Sequence, residues 1–202
     1  MSIKPIFIFS LPRSGSTLLQ KILSAHPDVG TTPEPWILLP PITFLDSKGI
    51  YADYNHTMAK HAVSSFCERL PMGRDDFYKA VGLFGQALYE KISPESKYFL
   101  DKTPRYHLIA SEVMRSFPTG KFIFLFRNPL AVVASIIDTW FAVHLFRVDL
   151  FLGLASMLSV IEINSLGMKV NYENLVNDPK NEVEQICQYL GLAYSDDLIK
   201  HF

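Results

Sequence analysis

Short apolar runs alternate along the chain with longer amphipathic segments. Four runs have the composition of β-strands, namely Pro5–Ser10, Tyr98–Leu100, Lys121–Phe126 and Met168–Tyr172. The third run is apolar almost throughout, as expected of a parallel strand that helices cover on both faces. Helical periodicity follows the first three runs, over Ser16–Ala25, Tyr106–Phe117 and Leu130–Trp140. This alternation predicts an α/β fold, in which a parallel sheet is flanked by helices on both sides.

The interval from about residue 33 to residue 96 breaks this rhythm. It opens with several prolines and then has helical patterns near Asn55–Leu70 and Asp75–Ile92. We interpret it as a helical insertion that covers the substrate side of the site. A chain of 202 residues has the length of one domain, so we expect residues 1–202 to form a single domain that includes this insertion.

Charge and composition narrow the class of protein. The chain has 19 Lys and Arg against 20 Asp and Glu, and 49% of its residues are hydrophobic. This composition excludes a disordered protein. The net charge of −1 argues against a nucleic-acid partner, because no global basic field would attract a phosphate backbone. Any anionic ligand must therefore be bound by local clusters of Arg, Lys and backbone N–H groups.

The apolar pattern indicates neither a signal peptide nor a membrane span. Ile6–Phe9, near the N-terminus, is too short for the hydrophobic region of a leader. The longest apolar region, Phe141–Ile163, contains charged side chains that would be costly in a bilayer, so we interpret it as a buried helix. Cys67 and Cys187 match no metal-binding pattern, and we expect both to be buried thiols. These features predict a cytoplasmic protein without a metal site.

The first predicted strand leads directly into a loop that suits an anion. Ser10–Thr17 has the sequence SLPRSGST, and a helix follows at once. In this arrangement backbone N–H groups and the helix dipole face the anion, hydroxyls donate hydrogen bonds, and a cation, here Arg13, neutralises charge. The loop is not a Walker A sequence, since it lacks the first Gly and the Lys. A helix merely capped by Ser16 is the alternative, but capping does not require Arg13.

A second candidate anion site follows the strand Lys121–Phe126. Arg127 comes directly after the strand, and the next helix has an apolar stripe that we expect to be buried, namely Leu130, Val133, Ala134 and Ile137. Ser135 then projects about 140° away from Leu130, at 3.6 residues per turn. Arg127 and Ser135 are therefore expected to meet one anion outside the stripe, although such a pair is weak support by itself.

Together these segments resemble the sulfotransferase superfamily that uses 3′-phosphoadenosine 5′-phosphosulfate (PAPS). FSLPRSGSTLLQKILSAHPDV is similar to the family's 5′-phosphosulfate loop and helix, and FRNPLAVVAS is similar to its 3′-phosphate motif. DKTPRYHL resembles the segment with a catalytic Lys, and NYENLVNDP resembles a late strand and turn. Each motif alone is weak, but the ordered set is specific and extends from residue 5 to about residue 192. It implies a P-loop-like three-layer fold and a reaction that needs no metal.

The resemblance also implies roles for individual residues. It implies that the first loop binds the 5′-phosphosulfate through Arg13, Ser14, Gly15, Ser16 and Thr17, and that Arg13 also takes part in catalysis. It implies that Arg127 and Ser135 bind the 3′-phosphate. Lys102 corresponds to the Lys that neutralises charge at the bridging oxygen, and it follows a predicted strand, where ligands bind in such sheets. The implied reaction moves a sulfuryl group in line from PAPS to a hydroxyl or amine acceptor.

The general base is inferred from two family patterns. In the tyrosylprotein and related sulfotransferases it is a Glu shortly after the first helix, which corresponds here to Glu34, held between two prolines. The cytosolic small-molecule enzymes use a His two residues after the Lys, and that position is Pro104 here. His107 is a remote alternative. Glu34 is therefore the predicted base.

Other features of the family are less well matched. Family members continue beyond a segment like Leu190–Leu192 into a basic, Gly-containing loop that closes over the cofactor, and none precedes Phe202. We expect either that the sequence is a fragment or that this cofactor-closing loop is missing. Tyr172 and Glu173 are interpreted mainly as packing residues. Aromatic residues of the insertion favour a small acceptor that is apolar or phenolic. A non-catalytic nucleotide-binding or scaffold protein of the same fold, and a P-loop-like nucleotide kinase, are the alternative functions.

Overall fold

A computed structural model describes residues 3–35, 38–43, 56–140, 146–163 and 167–200. Its five strands form one parallel sheet in the order β2-β3-β1-β4-β5. The strands are β1 (Lys4–Ser10), β2 (Val29–Thr31), β3 (Tyr98–Asp101), β4 (Lys121–Phe126) and β5 (Gly167–Asn171). The predicted parallel α/β fold is therefore confirmed.

Helices connect the strands in the manner of an α/β protein. They are α1 (Ser16–Ser24), α2 (Leu39–Thr43), α3 (His56–Cys67), α4 (Arg74–Ile92), α5 (Ala110–Ser116), α6 (Pro129–Trp140), α7 (Leu154–Ile163), α8 (Tyr172–Asn177) and α9 (Pro179–Leu190). Shorter 3₁₀ segments lie at Tyr106–Ile109 and Asp196–Ile199, and a π-helical turn spans Asp149–Gly153.

Alternate residues of the strands face opposite layers of the core. One face carries phenylalanines that pack against α4, α5 and α7, namely Phe7, Phe9, Phe99, Phe122 and Phe124. The other face carries aliphatic residues that pack against α1 and α9, namely Ile6, Ile8, Leu100, Ile123, Leu125 and Val170. Because both faces are buried, the strands are continuously apolar, as the sequence pattern indicated.

The four predicted strands are all present, and the sequence pattern missed one. β2 has only three residues and pairs with β3 at the edge of the sheet, so it leaves no periodic signal. The last strand ends at Asn171 rather than Tyr172. The Asn171 side chain accepts a hydrogen bond from the backbone N–H of Asn174, which starts α8 at Tyr172.

The interval from residue 33 to residue 96 is largely helical where it is described, but α4 does not cover the site. Its buried residues include Val81 and Tyr89, and the Tyr89 ring stacks on Phe99 of the central sheet. Gly82 lies so close to the backbone carbonyl of Ser116 that a side chain there would overlap it. The helix is therefore a core element on the connection between β2 and β3, so the expectation that it forms part of a cap was wrong. That the insertion as a whole covers the substrate side stays a prediction.

The predicted buried stripe of α6 was also wrong. Leu130 is 78% exposed and Ile137 is 44% exposed, whereas Val132 and Ile136 are fully buried. Nearly every residue in the first nine positions of this helix is apolar, so more than one stripe fits the sequence. The sheet selects the pair spaced i, i+4, which leaves Ser135 half-buried beside it.

The segment predicted as a buried helix is amphipathic at the surface. Residues 141–145 lie outside the described part, and beyond them Asp149 is buried while Phe151 is 75% exposed. This reversal occurs because Asp149 contacts basic side chains of the neighbouring loop. Within the described ranges, none of the helices has both the length and the apolar character needed to cross a bilayer.

Both cysteines have the environment that the sequence indicated. Cys67 lies at the end of α3 and Cys187 lies in α9, and both are buried free thiols. Burial raises the pKa of each thiol, which makes the reactive thiolate less accessible. Neither cysteine lines the cleft described below.

Candidate active site

A cleft of about 600 Å³ opens at the carboxyl edge of the sheet. Residues that follow all five strands contribute to its wall, so it occupies the position where ligands bind in open α/β sheets. Most of the predicted site residues line it, namely Arg13, Gly15, Ser16, Thr17, Glu34, Lys102 and Arg127. Ser14 and Ser135 are not part of that lining.

The loop after β1 adopts the strained backbone of an anion cradle. Arg13 has φ of 65° and Gly15 has φ of 89°, so two residues of one tight turn are left-handed. Gly15, rather than Ser16, is the N-cap of α1, and no side chain caps the helix. The first backbone N–H groups of α1 are therefore without a side-chain acceptor, which supports the anion site over a simple capped turn.

The two predicted anion sites are physically joined. The Arg127 guanidinium donates to the backbone carbonyl of Arg13 at 2.6 Å, and Arg13 Nε donates to Ser135 Oγ at 3.0 Å. Within the described part of the chain, Ser14 Oγ and Arg127 Nε are buried without a hydrogen-bond partner. Buried polar atoms normally have partners, so these two fit a ligand that supplies acceptor oxygens, such as a phosphate.

On the other side of the loop, Glu34 and Lys102 form an ion pair. Lys102 Nζ lies 2.6 Å from Glu34 Oε1, although the two residues are 68 positions apart. The Lys102 side chain is only 5% exposed, whereas that of Glu34 is 42% exposed. Glu34 has φ of 30°, which is uncommon for a residue with a side chain. The cleft thus holds an accessible carboxylate against an enclosed ammonium.

Comparison with known proteins identifies the family to which the chain belongs. A sequence model described as "Sulfotransferase family" matches residues 5–196. The chain belongs to the sulfotransferase family. It is 30% identical to the nodulation protein NoeE of Sinorhizobium fredii, over 92% of this chain and 49% of that protein. It is 27% identical to the protein-tyrosine sulfotransferase of Drosophila melanogaster, over 97% of this chain and 40% of that protein. The chain therefore spans about half the length of these relatives or less.

Solved structures of sulfotransferases share the fold. The sulfotransferase domain from the curacin biosynthetic pathway superposes with a TM-score of 0.67 at 21% identity, covering 97% of this chain and 76% of that one. A mouse sulfotransferase complexed with PAP superposes with a TM-score of 0.54 at 14% identity, covering 98% and 62%. The P-loop-like sheet flanked by helices is thus that of the sulfotransferases.

Tyr172 and Glu173 do more in this member of the sulfotransferase family than the packing predicted for them. The Arg127 guanidinium lies 4.4 Å from the centre of the Tyr172 ring, and a methyl group on Gly15 would overlap the same ring. Glu173 accepts a hydrogen bond from the backbone N–H of Asn128 at 2.9 Å. Both residues therefore brace the candidate anion site from the start of α8, and their position directly after a late strand was the available signal.

His107, the alternative base, is wrongly placed for that role. Its side chain is fully buried and is not part of the cleft lining, and its Nε2 lies 3.2 Å from Asp149 Oδ1. Arg105 Nε lies 3.2 Å from the same oxygen, and Arg105 does line the cleft. Arg105 has left-handed backbone with φ of 75°. Sequence reasoning missed this cationic residue because its partner follows more than forty positions later, at Asp149.

Below Lys102 lies a fully buried carboxylate that the sequence did not indicate. Asp101 accepts hydrogen bonds from the hydroxyls of Tyr89 at 2.6 Å, Thr103 at 2.9 Å and Tyr106 at 3.2 Å. Burial raises the Asp101 pKa to about 6, against the opposing effect of these donors and of the Lys102 charge. Burial also raises the pKa of both tyrosines, so their hydroxyls stay protonated donors. Among the described residues, no group of three or more His, Cys, Asp or Glu could hold a metal.

Proposed function

We propose that this chain is a PAPS-dependent sulfotransferase that acts on a hydroxyl, or an amine, of a small acceptor. The observation that carries the proposal is the juxtaposition, in one cleft, of a cationic phosphate loop and the Glu34–Lys102 pair. The mouse relative of the same fold was solved with PAP, which is the product that PAPS leaves. Family membership supports the sulfuryl transfer, and the cleft supports the choice of donor.

The loop side of the cleft suits the two phosphate-bearing ends of such a donor. Backbone N–H groups around Gly15, with Ser16, Thr17 and Arg13, would hold the 5′-phosphosulfate. Arg127 would hold the 3′-phosphate, and the unpartnered Ser14 Oγ and Arg127 Nε fit a ligand rich in acceptor oxygens. Ser135 would also hold the 3′-phosphate once its hydrogen bond with Arg13 is broken.

The Glu34–Lys102 pair suits the reaction itself. As the acceptor oxygen bonds to sulfur, Glu34 would take the proton from that oxygen. The bond between sulfur and the bridging oxygen breaks at the same time, and Lys102 would stabilise the negative charge left on the 5′-phosphate. The two side chains lie on the side of the loop away from Arg127, so acceptor and 3′-phosphate occupy opposite ends of the cleft.

An apolar or phenolic acceptor gains support from the cleft wall rather than from the helical segment. Phe146 lines the cleft, whereas Tyr172, the other aromatic residue of its wall, lies at the Arg127 end. Within the described part of residues 33–96, Glu34 contributes to that lining and the aromatic side chains do not. Phe77 and Tyr78 pack in core clusters instead. Phe44, Tyr51 and Tyr54 lie outside the described residues.

Calorimetric titration with 3′-phosphoadenosine 5′-phosphate (PAP), without Mg²⁺, tests the donor site. We expect roughly micromolar binding by the wild type and a loss of about tenfold or more in Arg127→Ala, because a charge-assisted contact disappears. Glu34→Gln should bind PAP as the wild type does, yet transfer sulfate from PAPS to a phenol about 10²–10⁴-fold more slowly.

The same experiment separates the competing functions. Tight PAP binding without transfer to any hydroxyl or amine acceptor would favour a non-catalytic nucleotide-binding protein. Absence of PAP binding by the wild type would refute the proposed donor. An unchanged transfer rate in Glu34→Gln would remove this carboxylate from the mechanism.

A further inference from the structure

A chain of buried hydrogen bonds connects Asp101, the neighbour of Lys102, to Leu38, which follows Glu34 by four residues. It starts at Asp101, the last residue of β3, whose carboxylate is fully buried. Thr103 donates to Asp101 Oδ1, and both Tyr89 and Tyr106 donate to Oδ2. Lys102 lies between Asp101 and Thr103, so the backbone on both sides of the ammonium-bearing residue is tied to one carboxylate.

The Tyr106 hydroxyl extends this chain to the segment that carries Glu34. While donating to Asp101, its oxygen accepts a hydrogen bond from the backbone N–H of Leu38 at 3.1 Å. Leu38 is fully buried and follows Glu34 by only four residues. A hydroxyl that donates once and accepts once joins its two partners directly, and Tyr106 thereby links β3 to the loop after β2.

Both ends of this chain matter to the Glu34–Lys102 contact. Glu34 has a left-handed backbone and a partly exposed side chain, so local structure alone does not hold it. Lys102 is enclosed and has little freedom to follow a shift of its partner. A change in the separation of the two backbone segments would therefore appear as a change in the carboxylate–ammonium contact.

We propose that Tyr106, acting through Asp101 and the backbone N–H of Leu38, is a positioning residue that sets the geometry of Glu34 relative to Lys102. The inference rests on the proposed function for its kinetic consequence, because the positioned pair is the proposed base and the proposed stabiliser of the leaving group. Its structural consequence, the placement of Glu34 beside Lys102, does not depend on turnover.

Tyr89 provides a matched control within the same network. It is as buried as Tyr106, and its hydroxyl donates to the same oxygen of Asp101. It belongs to α4, none of whose residues lines the cleft, and no hydrogen bond connects its hydroxyl to the Glu34 segment among the described residues. Tyr106→Phe and Tyr89→Phe thus each remove one hydroxyl that donates to Asp101 Oδ2. Tyr106→Phe also removes the acceptor of the Leu38 N–H, whereas Tyr89→Phe leaves that hydrogen bond in place.

The test compares the two variants in the full chain. We expect Tyr106→Phe to lower kcat about 10–100-fold, as misplaced catalytic groups do, while the calorimetric Kd for PAP stays that of the wild type. We also expect its pH profile of kcat to change shape. Tyr89→Phe should keep kcat and the profile, although both variants lose similar stability to urea. Asp101→Asn serves as a second variant should Tyr106→Phe not fold, with kcat lowered in the same direction.

A readout without turnover makes the two proposals separable. The ¹³C resonance of the Glu34 carboxyl, assigned by its loss in Glu34→Gln, reports the contact with Lys102 directly. We expect the chemical shift of this resonance to change in Tyr106→Phe and to stay that of the wild type in Tyr89→Phe. If the wild type transfers no sulfate but the resonance behaves this way, the proposed function fails and the positioning role stands. Equal effects of the two variants on kcat and on the resonance would overturn the positioning role.

Discussion

On one side of the phosphate loop the cleft is built from short motifs and backbone contacts, and on the other side it is built from buried side chains far apart in sequence. The proposed cofactor side comprises Arg13, Arg127, Tyr172 and Glu173, whose contacts run mainly to backbone atoms and to an aromatic ring. The proposed reaction side comprises Glu34, Asp101, Lys102 and Tyr106, joined by side chains that are largely enclosed.

The two sides therefore differ in what a substitution should change. Contacts on the cofactor side are partly exposed, so water can replace a lost partner and the loss should be moderate and confined to binding. On the reaction side, a lost partner leaves a buried charge or donor without compensation. Changes there should affect turnover or stability strongly while leaving PAP affinity nearly intact.

The sharpest test of this contrast is Lys102→Met, which should lower turnover far more than PAP affinity. Methionine keeps the length of the side chain but removes the charge that would stabilise the leaving phosphate. Loss of one such preorganised group lowers kcat about 10²–10³-fold. The measurement is steady-state transfer of sulfate from PAPS to a phenolic acceptor, with PAP affinity determined on the same protein.

Lys169→Met provides the control, because Lys169 lies on β5 with an exposed side chain outside the cleft lining. It should leave kcat unchanged. If Lys102→Met instead weakened PAP binding and preserved kcat, Lys102 would belong with the cofactor side, and the division of the cleft would fail.

A second test measures how burial of the Asp101 carboxylate changes the free energy of unfolding with pH. Its pKa is raised from 3.8 to about 6 by burial, so the folded protein binds a proton more tightly than the unfolded chain does. The stability contributed by this group is therefore fully present below pH 3.8 and is lost as the pH rises through 6, by about 3 kcal/mol in total. Asp101→Asn removes this titration.

The measurement is the free energy of unfolding from urea titrations at pH 4 and pH 7. Relative to the wild type, the free energy of unfolding of Asp101→Asn should be higher at pH 7 than at pH 4 by about 2 kcal/mol, because part of the loss lies below pH 4. Asp138→Asn, at an exposed position of α6, should show no such difference. If this difference in the free energy of unfolding were absent, or of opposite sign, the three hydroxyl donors would offset the desolvation of the Asp101 carboxylate at neutral pH.

The same contrast explains what the sequence could predict. Arg13, Gly15 and Arg127 were identified because the motifs that contain them are contiguous, and a strand followed by a loop and a helix N-terminus is determined locally. The roles of Glu34 and Lys102 came only from the resemblance, and their ion pair was not predicted, since nothing in either segment specifies the other. The Asp101 network was missed because its donors come from three separate elements, and buried hydroxyls carry no pattern.

Errors in the fold have a similar origin. The α6 stripe was misjudged because the helix is apolar on several sides, and only packing against the sheet selects Val132 and Ile136. Asp149 was expected to be a polar interruption of a buried helix, but it is the buried residue of its turn because Arg105 and His107 surround it. Periodicity assigns faces only where polar and apolar residues separate cleanly.

The smallest of the expected effects lies on the cofactor side, at Tyr172. Its ring supports the Arg127 guanidinium and covers Gly15, so Tyr172→Ala removes a cation–π contact and uncovers the loop. We expect PAP affinity to fall roughly 3- to 30-fold, the range of such contacts, with kcat at saturating PAPS close to that of the wild type.

Tyr172→Phe keeps the ring and should bind PAP normally. A tenfold loss in Tyr172→Phe would show that the hydroxyl, rather than the stack, carries the contribution. A fall in kcat in Tyr172→Ala would show that the two sides of the cleft are coupled, because a change confined to one would then disturb the geometry of the other.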